Sequence, residues 1–71
     1  MKRRILRQYL GQTDDDIDRA TERLERQARI ATQLREAGRD TGIADELLSH
    51  FERSLRTLRD DRALILHALE R

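Results

Sequence analysis

Apolar side chains recur through the second half of the chain at alternating steps of four and three: Ala44, Leu48, Phe51, Leu55, Leu58, Ile65 and Leu69, with Arg62 interrupting between Leu58 and Ile65. That spacing lines up one face of a supercoiling helix, so a single amphipathic helix is predicted over 42–70. A second, thinner stripe runs through Ile17, Ala20, Leu24, Ala28, Ala31 and Leu34, with alanine at half of its positions. It predicts a helix over 14–37. Thr13 is placed to cap its start, Asp16 three residues later completes a capping box, and Asp14 to Asp16 put negative charge at the positive end of the helix dipole.

Gly38 supplies the left-handed residue that commonly closes a helix, and Asp40 or Thr41 can cap the next, which leaves a turn at 38–41. So short a connection returns the chain antiparallel. The expected unit is therefore an all-α, antiparallel αα-hairpin. If Leu34 sits opposite Ala44 to Leu47, Phe51 faces Ala28 and Ala31, Leu24 meets Leu55, Ala20 meets Leu58, and Arg62 falls beside Asp16 to Asp18. Glu22–Arg26, Glu25–Arg29 and Glu52–Arg56 have the spacing of favourable i,i+4 pairs on the wet side.

Residues 1–11 form a basic amphipathic segment. Ile5, Leu6, Tyr9 and Leu10 give it one apolar edge, and Gly11 is expected to separate it from the first long helix. The same antiparallel arithmetic leaves Ile65, Leu66 and Leu69 uncovered unless Ile5, Tyr9 and Leu10 fold over them. Ile30, Ile43, Leu47 and Leu64 flank the main stripes, and a two-helix hairpin has no third layer to bury them. Dimerisation into a four-helix bundle would do so.

Composition strengthens this picture. Proline and tryptophan are absent, and there is one Phe and one Tyr, which suits long helices and not a sheet. At 71 residues the chain is one domain, and a domain this small buries only about 60% of its unfolded surface. With no cysteine there is no disulfide or thiolate metal site to compensate, and self-association becomes the favoured source of further burial. Charges nearly cancel to +1, but residues 1–13 hold Lys2, Arg3, Arg4 and Arg7 without an acid, and the remainder is net acidic. No apolar run reaches the roughly 18–20 residues of a membrane span, and Arg7 and Gln8 cut short the apolar core a signal peptide needs, so a cytoplasmic protein is expected.

Candidate chemistry is sparse. Asp14, Asp16, Asp18 and Glu25 fit positions 1, 3, 5 and 12 of a calcium loop, but the position that requires glycine holds Arg19 and the segment reads as helix. His50 and His67 lie far apart in sequence, and a hydrogen bond from His50 to Glu46 is the expected use of the first. Ser49 and Ser54 lack a glycine elbow and an oriented base, and there is no phosphate-binding glycine loop. No catalytic residue, cofactor or metal is expected, and the reading is not an enzyme.

The segment Gly38-Arg39-Asp40-Thr41, followed by Ala44, Leu47-Leu48, Phe51-Glu52, Ser54-Leu55 and Leu58, resembles a group of short bacterial helical-hairpin proteins in which a Gly-x-Asp-Thr turn leads into an amphipathic helix. The likeness covers about residues 17–69. It implies a bacterial, cytoplasmic helical hairpin and carries no ligand or catalytic residue with it.

Two functions follow as expectations. The first is a non-enzymatic interaction or scaffold module, a homodimer or the partner of another protein's helix. Its core and interface would be Ile17, Leu24, Ala31, Leu34, Ile43, Leu47, Leu48, Phe51, Leu55, Leu58, Ile65, Leu66 and Leu69. The alternative is a small nucleic-acid-associated regulatory protein that uses Lys2, Arg3, Arg4 and Arg7 on phosphates.

Overall fold

A computed structural model describes residues 2–71, the side chain of Lys2 excepted. The described residues form two helices, α1 (Lys2–Glu36) and α2 (Gly42–Glu70), packed as a hairpin 55 Å long and about as thick as two helices, at 14 × 13 Å. The expected hairpin and its turn are present, but α1 starts a dozen residues earlier than 14. Gly11 does not break it, and Thr13 and Asp16 cap nothing.

The reason lies in the stripe. Continued backwards from Ile17 in steps of four and three it reaches Thr13, Leu10 and Leu6, all part-buried, whereas Ile5 and Tyr9 are 45% and 55% exposed. A glycine inside a helix costs about 1 kcal/mol relative to alanine. Half-burying two leucines is worth on the order of 1 kcal/mol each, enough to carry the helix through. The first turns of α1 thus run beside the last turns of α2, where Ile65, Leu66 and Leu69 are likewise part-buried. The expected cover is there, supplied by Leu6 and Leu10 rather than by Ile5 and Tyr9.

At the other end the chain turns through a Schellman arrangement. Gly38 has φ 70°, its N–H donates to the Arg35 carbonyl at 3.0 Å, and the Arg39 N–H donates to the Leu34 carbonyl at 2.8 Å. Asp40 then caps α2, accepting the Gly42 N–H at 2.9 Å. Thr41 makes no cap of its own. Its hydroxyl donates to Asp45 Oδ2 at 2.8 Å, and Arg35 donates to the same carboxylate at 3.2 Å, so both helix ends are tied to one residue.

Every non-exposed position of the seam obeys one rule. In α1 it runs Leu6, Leu10, Thr13, Ile17, Ala20, Leu24, Gln27, Ala31, Leu34, and in α2 Ala44, Leu48, Phe51, Leu55, Leu58, Arg62, Ile65, Leu69. These are the a and d positions of an unbroken heptad. Gln27, not Ala28, therefore occupies the seam; it is 8% exposed, and its Nε2 donates to the Ala44 carbonyl at 3.0 Å. Arg62 meets Asp14 at 2.6 Å, not Asp16 to Asp18. Phe51 lines a recess with Ala20 and Arg23, and Leu24 and Leu55 line a common groove.

The three i,i+4 pairs are not among the ion pairs of the described residues, where Arg19–Asp16 at 2.6 Å is the local one. Exposed Glu–Arg pairs gain too little to hold two long side chains in one geometry.

Candidate functional site

Once the seam is filled, each helix has two shoulders, and the hairpin consequently has two flanks. In an antiparallel pair the e positions of both helices share one flank with b, and the g positions share the other with c.

The e flank is stitched. Asp14, Arg35 and Asp45 are e residues, and the two ion pairs that cross between the helices among the described residues, Arg35–Asp45 and Arg62–Asp14, run along it. Thr21, another e residue, returns its hydroxyl to the Ile17 carbonyl at 2.8 Å. Polar side chains that already have partners make this a flank that water can cover.

The g flank is the opposite. Tyr9, Ile30 and Leu47 are g residues, and Ile5, Ile43 and Leu64 are c residues; these six are the exposed large hydrophobic residues of the molecule as described. Ile43 and Leu64 are the most exposed, at 77% and 68%. Near the turn, Ile30, Ile43 and Leu47 join Leu34 around an apolar groove of about 370 Å³. Ile5, Tyr9 and Leu64 stand on the same flank toward the other end. Between the two ends the flank is polar, with Arg23, His50 and Ser54 around a smaller recess.

The expected interface residues divide accordingly. Ala31 and Leu55 are buried at 2% and 4%, and Ile17, Leu24, Leu34, Leu48, Phe51, Leu58, Ile65, Leu66 and Leu69 are part-buried along the hairpin. Ile43 and Leu47 stand outside it on the g flank. Gln27, Thr13 and Asp14 are seam or seam-edge residues that an apolar pattern passes over.

Of the basic residues, Arg3, Arg4 and Arg7 are exposed on the first turns of α1, and the Lys2 side chain lies outside the described residues. There is no acid in that first turn, so positive charge sits at the positive end of the helix dipole without local compensation. Arg4 and Arg7 occupy b and e positions, on the side away from the g flank.

The described residues contain no group of three or more His, Cys, Asp or Glu able to hold a metal ion, and no helix long and apolar enough to cross a membrane. The His50 ring lies 5.9 Å from that of Phe51 at 55°, and no bond to Glu46 is among the hydrogen bonds of the described residues. Comparison with protein-family models, with curated proteins and with solved structures finds no match to this chain.

Proposed function

We propose that the protein is a non-enzymatic interaction or scaffold module of the bacterial cytoplasm that works through its helical faces, self-associating as a homodimer. One observation carries this reading: all six exposed large apolar residues among the described residues stand on a single flank, while the opposite flank is closed by its own ion pairs. Scattered apolar residues need no explanation, but a one-sided set on a hairpin this thin marks a surface meant to be covered. A second pair of helices laid there would complete a four-helix bundle.

Sedimentation equilibrium tests it. A dimer is expected at micromolar concentration, and the double variant Ile43→Ser, Leu64→Ser should stay monomeric with its helical circular dichroism intact, because neither side chain supports the hairpin. A wild-type chain that remains monomeric at millimolar concentration refutes self-association.

The alternative, a nucleic-acid-associated regulator, is favoured by the exposed Arg3, Arg4 and Arg7 beside an uncompensated helix start. Phosphates would neutralise that charge, and two copies would present two such clusters. Fluorescence anisotropy with duplex DNA checks this. Binding should weaken steeply between 50 and 200 mM salt, as the counterion-release range implies, and should vanish in the Arg3→Ala, Arg4→Ala, Arg7→Ala variant.

A further inference from the structure

The g flank carries more than apolar side chains toward its two ends, and its charges have an order. Because Asp14 meets Arg62, numbers run in opposite directions on the two helices, and residues at one level can be paired: Asp16 with Asp61, Arg19 with Thr57, Arg23 with Ser54, Arg26 with His50. The recess that gathers Arg23, His50 and Ser54 agrees with this register. From the open end to the turn the flank therefore reads apolar, acidic (Asp16, Asp61), basic (Arg19, Arg23, Arg26), apolar. Its midpoint lies near Arg19 and Thr57.

We infer that this flank binds a second copy of the same chain head to tail, about a twofold axis that crosses the hairpin at right angles near Thr57. The inference rests on the self-association proposed above and specifies its geometry. Rotation about that axis lays the turn-end apolar residues of one copy (Ile30, Ile43, Leu47) on the open-end ones of the other (Ile5, Tyr9, Leu64). It lays each helix on its own counterpart running the other way, which sets Arg23 opposite Asp16 of the second copy, twice.

The competing arrangement, with the axis along the hairpin, lays α1 of one copy on α2 of the other at the same level and sets Asp16 against Asp61, twice, and like charges opposed across an interface are penalised. Among the described residues Arg23 makes no ion pair within the chain, and Asp16 holds Arg19 through Oδ1 alone, at 2.6 Å. The area also suits. A face 55 Å long and 14 Å wide offers on the order of 800 Å² per copy, the footprint of a standard stable interface.

The chain contains no cysteine, so single cysteines report geometry cleanly. Across the proposed axis Thr57 lies beside its own counterpart, while the two His50 residues stand roughly 20 Å apart at 1.5 Å per residue, beyond the reach of about 7 Å for a disulfide. The Thr57→Cys protein should form a disulfide-linked dimer under mild oxidation, and His50→Cys should not. Arg23→Glu should raise the dimer dissociation constant about tenfold or more, and adding Asp16→Arg to it should restore the constant to within about threefold. Both positions are exposed, so helical circular dichroism should be unchanged in each variant.

A dimer in which His50→Cys cross-links as readily as Thr57→Cys, in which neither does, or in which Arg23→Glu is neutral, overturns the head-to-tail geometry and leaves self-association standing. A wild-type chain that is monomeric throughout overturns both.

Discussion

Gln27 is the residue on which the hairpin's register turns. Among the described residues it is the one buried polar side chain, and it reaches across the seam to a backbone carbonyl, a contact available in a single alignment of the helices. A polar group at such a position costs stability and confers register. Gln27→Leu should therefore raise the thermal midpoint, by about 1 kcal/mol of added stability, since the Ala44 carbonyl keeps its place in the α2 hydrogen-bond ladder. A midpoint that falls would show the amide to be worth more than the apolar area it displaces. The glycines give two opposite expectations. Gly38 has φ 70°, so Gly38→Ala should cost about 1–2 kcal/mol in chemical denaturation. A Cβ on Gly11 meets nothing within 4 Å, so Gly11→Ala should stabilise by up to about 1 kcal/mol. Leu55→Ala, at the best-buried leucine, should cost about 2–5 kcal/mol.

At the scale of the helices, α2 was readable because every seam position but Arg62 is apolar, and the turn because Gly38 and Asp40 perform the local chemistry their types suggest. Two features of α1 were not. Thr13 followed by three aspartates is a strong local start signal, and Gly11 a plausible stop, yet both yield to a stripe that continues through Leu10 and Leu6 against α2. Local capping is worth about 1 kcal/mol, and tertiary cover for Ile65 and Leu69 exceeds it. Apolar counting also prefers Ala28 to Gln27, although strict alternation from Leu24 lands on Gln27, which is the residue buried in the seam. The two flanks follow only once the correct seam is drawn. If the first turns of α1 are held by α2, Leu6→Ala with Leu10→Ala should release residues up to about Gly11, seen as fast amide exchange there and a lowered midpoint, with protection near Gln27 retained. Unchanged exchange in the first turns would mean that α1 holds them unaided.

For the whole molecule, a hairpin 14 × 13 Å across has almost no interior. Its buried apolar residues are Ala31, Ala44 and Leu55, and among the described residues no large side chain is fully enclosed. Two helices can shield a seam on two sides only, so Phe51, Leu58 and Ile65 remain part-exposed however well the hairpin packs. A second copy on the g flank would shield the seam from a third side and cover the six apolar residues there, which makes folding and association one equilibrium. The consequence is a melting temperature that depends on concentration. A tenfold rise in protein favours the folded dimer by about 1.4 kcal/mol. For a cooperative unit of two 71-residue chains that corresponds to an upward shift of about 4 °C. Scanning calorimetry from 10 to 1,000 μM, a span of about two such decades, reads it directly. A midpoint that stays fixed across that range would mean that each hairpin melts alone, and that burial along the seam is sufficient without the flank.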